Sequence, residues 1–89
     1  MFDKSYCLKK NDRIIYKELV DRPVLIDPYR RTLINLNPAA MEIWRLLDGR
    51  HSADDIVNEL KEVFAISEKD LRKDVIIFLK DLIRREIAA

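Results

Sequence analysis

The feature that most constrains this chain is a change of hydrophobic period at Asn37-Pro38. Before it, apolar residues come in short runs bounded by turn residues, the pattern of strands. After it they recur at three- and four-residue steps, the pattern of helices. Asn37 suits the cap of a first helical turn, and Pro38 at the first helical position forfeits no hydrogen bond. Strands and helices are therefore segregated along the sequence, which predicts an α+β fold. With 89 residues there is room for one domain, 1–89.

On the strand side, Ile14-Ile15-Tyr16 with Leu19-Val20 forms the first run, Val24-Leu25-Ile26 the second and Thr32-Leu33-Ile34-Asn35-Leu36 the third. Asp21-Arg22-Pro23 punctuates the first pair. Asp27-Pro28-Tyr29-Arg30 reads as a turn, because Asp accepts local backbone bonds and Pro pre-sets φ. An antiparallel three-stranded meander follows. Residues 1–12 read as a flexible lead-in, with at most a short strand near Tyr6 to Leu8. On the helix side, a first helix over Ala39 to Leu47 is stopped by Asp48-Gly49. Ser52 with Asp55 resembles a capping box and opens a second helix that buries Ile56, Val57, Leu60, Val63 and Phe64. Ser67 with Asp70 repeats the device for a third, whose core stripe is Leu71, Val75, Phe78 and Leu82.

Composition removes several functions. Seventeen basic residues against sixteen acidic give a net charge of +1, without the basic excess of a nucleic-acid binder. The longest apolar run, Val75 to Leu79, is far short of the roughly 20 residues that span a bilayer. Met1-Phe2-Asp3-Lys4-Ser5 is not a signal peptide, so a soluble, cytoplasmic chain without a membrane partner is expected. Gly49 is the only glycine, and phosphate-cradling loops need several. A single Cys7 and a single His51 make neither a disulfide nor a metal cluster. Asp54-Asp55 and the pair Glu59 and Glu62 fall on solvated helix faces, His51 reads as exposed in a turn without a partner, and Trp44 reads as core. No catalytic residue, metal or cofactor is expected, and the chain reads as no enzyme.

The third helix carries more than one face needs. At 100° per residue, Ile76 and Ile83 form a second apolar strip about 80–100° from Val75, bordered by Lys69, Arg72 and Lys80. Ile77 lies on the far side. Either the sheet covers the Ile76/Ile83 strip or a partner does. The strand Thr32 to Leu36 has neither proline nor charge, so its edge lacks the usual protection. An open edge beside a helix suits an extended peptide added as a strand, and the basic border favours an acidic one.

The same residues carry a family likeness. Leu36-Asn37-Pro38-Ala39-Ala40-Met41-Glu42-Ile43-Trp44-Arg45-Leu46-Leu47-Asp48-Gly49 closely resembles the L-N-x-x-A-x-x-I-W-x-L-L-D-G core of PqqD-like proteins, the peptide chaperones also called RiPP recognition elements. Ser52 to Leu60 resembles the family's T-x-x-E-I-x-x-x-L. Asp74-Val75 with Phe78-Leu79 and Leu82 is similar to its D-V-x-x-F-L-x-x-L, and Val24 to Pro28 to its second strand and turn. The resemblance implies a three-stranded antiparallel sheet packed on a winged-helix-like bundle of three helices. It implies a protein of natural-product biosynthesis that binds the leader of a ribosomally made precursor peptide between third strand and third helix. That precursor is presented to a modifying enzyme such as a radical SAM protein, a cyclodehydratase or a leader peptidase.

Carried onto this sequence, the binding residues are Arg31, Thr32, Leu33, Ile34, Asn35 and Leu36 from the strand. Lys69, Arg72, Ile76, Leu79, Lys80 and Ile83 come from the helix. Arg85-Glu86-Ile87 stands where the family often has a helix-closing glycine, so the last helix is expected to run on to the end. The first strand, Arg13 to Val20, lacks the Arg/Gly-rich pattern of coenzyme PQQ synthesis members, which favours the broader family. Two other functions fit the same elements: a winged-helix DNA-binding protein, opposed by the interleaved acids Asp54, Asp55, Glu59 and Glu62, and a structural subunit that self-associates through the open edge.

Overall fold

In the computed structural model, which describes residues 5–89, the elements run β1 (Cys7–Lys9), β2 (Ile15–Leu19), β3 (Arg22–Asp27), β4 (Thr32–Asn35), α1 (Pro38–Arg45), β5 (Asp48–Ser52), α2 (Ala53–Leu60) and α3 (Glu68–Arg84). The expected meander is present as an antiparallel sheet of order β2-β3-β4, and three helices follow it. Tyr16, Leu25 and Ile34 are cross-strand neighbours in one row, and Ile15, Ile26 and Leu33 in the next. Successive rows point to opposite faces. The first faces the helices: Leu25 and Ile34 join the core, and the Tyr16 hydroxyl lies 3.5 Å from Met41 Sδ. The second faces solvent, with Ile15 and Leu33 about half exposed.

The helix starts follow the sequence. Asn37 Oδ1 accepts the Ala40 amide at 2.7 Å, and Pro38 opens α1. Ser52 and Asp55 form both halves of a capping box, and Ser67 accepts the Asp70 amide. The core lies between sheet and helices, built on Leu8, Leu25, Leu47, Ile56, Leu60, Leu79 and Leu82. Among the described residues no helix is long and apolar enough to cross a membrane.

Several expectations are corrected. The lead-in lies partly outside the described residues, at 1–4, but from Cys7 the backbone is strand β1 and Leu8 is 1% exposed. β1 pairs with β5 on one side and with the last residues on the other, where Lys9 and Ala89 exchange bonds of 2.8 and 3.0 Å and the Asn11 amide reaches the Ile87 carbonyl. Secondly, Asp48-Gly49 does not lead into a turn. It opens β5, whose polar residues have little strand preference of their own and are held by β1. Gly49, at φ 81, sits where the β1–β5 register slips, a conformation side chains resist. Thirdly, α2 stops at Leu60, leaving Val63 exposed and Phe64 half-buried.

Lastly, Phe78 is half-buried and Leu79 is fully buried. The two stand three and four residues after Val75, so both satisfy helical spacing. Packing of α3 on α2 selects Leu79 for the core and removes it from any peptide-facing surface.

The last helix also stops short of the end. The Ile87 amide donates to the Leu82 carbonyl at 2.9 Å and the Glu86 amide to Ile83 at 3.0 Å, with Leu82 and Ile87 both buried. This is a Schellman cap with Glu86, at φ 59, in the place glycine usually takes. A left-handed non-glycine residue costs about 1–2 kcal/mol, while glycine loosens the unfolded chain by about 0.4–1 kcal/mol. Glu86→Gly should therefore raise stability by roughly 0.5–1 kcal/mol, read as a higher urea midpoint at unchanged slope. A lowered midpoint would show that the exposed pair between Glu86 and Arg30 outweighs backbone strain.

Candidate functional site

The free edge of β4 has a definite phase. The Leu36 amide donates to the Pro23 carbonyl at 3.0 Å, across the gap to β3. Backbone groups alternate sides along a strand, so Thr32 and Ile34 also turn theirs to β3. Leu33 and Asn35 turn their N–H and C=O groups to the open edge. Side chains alternate the other way round the strand: Ile34 and Leu36 point into the core side, while Thr32, Leu33 and Asn35 are exposed.

What places β4 is the turn before it. Asp27 is 3% exposed and accepts Arg13 Nε at 3.1 Å and Nη2 at 3.0 Å, together with the amides of Tyr29 at 3.1 Å and Arg30 at 3.2 Å. The guanidinium beside it, helped by the two amides, holds its carboxyl below the usual carboxylate range. The turn residue Arg30 then pairs with Glu86, just beyond α3. At its other end β4 leads into α1, whose Ala39 and Ile43 share a cavity of about 290 Å³ with Leu71, Asp74 and Val75 of α3. The turn before β4 thus reaches the residues that follow α3, and the helix after β4 shares a cavity with the first half of α3.

The Asp74–Arg84 flank of α3 carries an open apolar cavity of about 510 Å³ lined by Asp74, Ile77, Phe78, Lys80, Asp81 and Arg84. Ile77 is 57% exposed. Asp81 is neutralised by Arg84 and by Arg85 Nε at 3.0 Å, and these bonds keep its carboxyl low. Asp74 and Lys80 make no ion pair among the described residues, so the cavity offers one free charge of each sign.

The residues singled out from sequence fall into three places. Arg31 (in the turn, at φ 55), Thr32, Leu33, Ile34, Asn35 and Leu36 belong to β4 and its approaches. Lys80 lines the cavity, whereas Leu79 is core. Arg72, Ile76 and Ile83 lie on another flank, about 160° around the helix from Asp74 in the case of Ile76. Arg72 there pairs with Asp54 of α2, Ile76 and Ile83 are half-buried, and Lys69 is exposed. The border expected to be basic has its strongest cation already matched. Ile77 and Phe78, the apolar lining of that cavity, were hidden in the sequence because Phe78 fits the core stripe and Ile77 stands alone on its face.

His51 also differs from expectation: it lies in β5 with Nδ1 2.9 Å from Asp48 Oδ1. That bond and the Arg50 amide hold the Asp48 carboxyl low. The adjacent Ser52 hydroxyl accepts the Asp55 amide in the cap of α2.

A family model described as coenzyme PQQ synthesis protein D (PqqD) matches residues 23–88. The chain belongs to the PqqD family. No curated protein sequence matches it significantly. Among solved structures, lasso peptide synthetase B1 complexed with the leader peptide superposes with a TM-score of 0.78 at 25% identity, over 93% of this chain and 98% of that one. TbiB1 in complex with the TbiA(beta) leader peptide gives a TM-score of 0.77 at 22% identity, over 90% of this chain and 93% of that one. The likeness in fold thus extends beyond the stretch matched by the PqqD model, which starts within β3.

The depressed Asp27 carboxyl makes a prediction about acid. A group whose folded pKa lies below its unfolded value of about 3.9 contributes fully above that value and loses its contribution as pH falls through the folded one. Asp27→Asn should be less stable than wild type at pH 7, and the difference should shrink from about pH 5 downwards. Urea midpoints measured across that range check it. An equal difference at every pH would mean that the charge of Asp27 is not what holds the turn.

Proposed function

We propose that this PqqD-family chain binds the leader of a ribosomally made precursor peptide as a fourth strand on β4, against the Ile77–Phe78 flank of α3. It presents that precursor to a modifying enzyme, such as a radical SAM protein or a leader peptidase, and does no chemistry itself. The whole chain, 1–89, acts as one peptide-binding unit. The observation that carries this reading is the unspent N–H and C=O groups of Leu33 and Asn35 on an open sheet edge, in a fold whose last helix carries an open apolar cavity. The two superposed structures are complexes with leader peptides, which supports it.

The mechanism is division of labour between backbone and side chains. Leu33 and Asn35 supply main-chain bonds that accept any sequence. A peptide residue opposite Ile34 points to the same face as Ile34, towards the helices, and an apolar side chain there reaches Ile77 and Phe78. One opposite Leu33 points outwards and extends the row Ile15–Ile26–Leu33. Since Asp74 and Lys80 are the free charges of the cavity, selectivity comes from shape and apolar burial more than from net charge.

Proline scanning along β4 tests the edge, with a synthetic leader taken from the short reading frame neighbouring the gene. Leu33→Pro and Asn35→Pro remove edge donors and should fold yet lose affinity at least tenfold. Ile34→Pro removes a bond of the β3 ladder and should unfold the domain. Wild-type affinity in a folded Asn35→Pro protein would end strand addition at this edge.

The helix wall has its own test. Burying the exposed half of Ile77 contributes roughly 1–1.5 kcal/mol, and Ile77→Asp adds a charge that the peptide must desolvate. Affinity should fall at least tenfold, about 1.4 kcal/mol, without loss of fold. Ile76→Asp is the comparison. Loss of binding from Ile76→Asp alone would move the groove to the Arg72 flank.

A further inference from the structure

The sheet has a second open edge, and it too has a cavity beneath it. Pairing of Leu36 with Pro23 sets the phase of β3, so Arg22, Val24 and Ile26 turn their backbone groups to β2. Their partners Leu19, Lys17 and Ile15 answer them, which leaves Tyr16 and Glu18 to present N–H and C=O groups at the outer edge of β2. Below this edge, between β2 and α1, lies a cavity of about 300 Å³ lined by Lys10, Tyr16, Met41, Glu42, Trp44 and Arg45. It shares no residue with the cavity on α3.

The lining is two aromatic rings and a thioether, room for one large side chain. Its charges are mostly spent. Arg45 pairs with Glu42, and Glu18 accepts the Tyr16 hydroxyl at 3.2 Å. Lys10 is the exception: its ammonium stands 5.3 Å from the centroid of the Trp44 ring and makes no ion pair among the described residues. Burial lowers its pKa, with Asp48 acting at longer range in the opposite sense. A partly desolvated cation over an aromatic wall is complementary to an anion that arrives with an apolar group.

We propose that the β2 edge and the Tyr16–Met41–Trp44 cavity form a second binding site, for an extended segment of a partner protein with an aromatic side chain and a carboxylate two residues away. A residue opposite Tyr16 on an added strand points to the same face as Tyr16 and enters the cavity. Side chains two residues apart share that face, which brings the carboxylate to Lys10. The site is independent of the β4 edge, so leader peptide and partner segment can be held together.

Trp44 is the only tryptophan, so its emission reports on the cavity directly. Two probes cover the two strand directions: acetyl-Thr-Phe-Thr-Glu-amide and acetyl-Glu-Thr-Phe-Thr-amide. At least one should give a saturable change in Trp44 fluorescence. Phe→Ala in that probe should weaken it at least tenfold and Glu→Gln at least threefold. Lys10→Gln in the protein should cost the Glu probe at least threefold and leave the Gln probe unchanged. Asn35→Pro should bind both as wild type does, even if it no longer binds a leader. No saturable change with either probe would overturn the proposal, as would indifference to Glu→Gln. Loss of probe binding in Asn35→Pro would assign the probes to the β4 edge instead.

Discussion

Burying a carboxylate is costly unless its lone pairs are filled, and Asp27 fills them with two bonds from Arg13 and two from the amides of its own turn. Among the described residues it is the one buried charged group. Its bonds determine where the chain reverses after β3 and hence where β4 starts. They also bring Arg30 to Glu86 and Arg13 to within 5.9 Å of the Tyr29 ring centroid. The place where β4 starts therefore depends on one side chain that lies outside β4.

Much of this could be read from the sequence, for reasons that are local. Asn37-Pro38, the Ser52/Asp55 box and the Asp27 turn each act within a few residues, and each forms as its chemistry requires. The PqqD likeness in the Leu36–Gly49 stretch brought the fold and the class of ligand. Long-range partnerships were not legible. β5 is made of Asp, Gly, Arg, His and Ser, which no strand preference selects, and it exists through β1. Phe78 and Leu79 are interchangeable to a helical repeat, and only the direction from which α2 approaches separates them. The same ambiguity leaves a helical repeat unable to choose between Ile76 with Ile83 and Ile77 with Phe78 as an apolar wall.

The wall itself is held firmly. β1 lies between β5 and the last residues of the chain, so α3 is tied at its end into a ladder as well as packed along its length. The cap at Glu86 turns the backbone back towards β1, and Ile87 and Ala88 are buried there. A groove with one wall fixed in this way loses little freedom when it is filled. For a peptide bound as proposed, the entropy of binding would be mainly that of the peptide, which favours a ligand already inclined to be extended.

The order β2-β3-β4 has a consequence for the protein as a substance in solution. A sheet with a free edge on each side is bifunctional in the polymer chemist's sense. The β4 edge of one molecule set on the β2 edge of the next is a head-to-tail contact, which closes into a ring or grows into a filament according to the rotation between copies. Among the described residues, Lys17 and Glu18 and the exposed left-handed turn at Val20-Asp21 are the brakes on the β2 side. A peptide lying on β4, as proposed, would turn the bifunctional unit into a chain terminator. Cargo and colloidal stability would then be one variable, and the protein would be most exposed to its own company with nothing to carry.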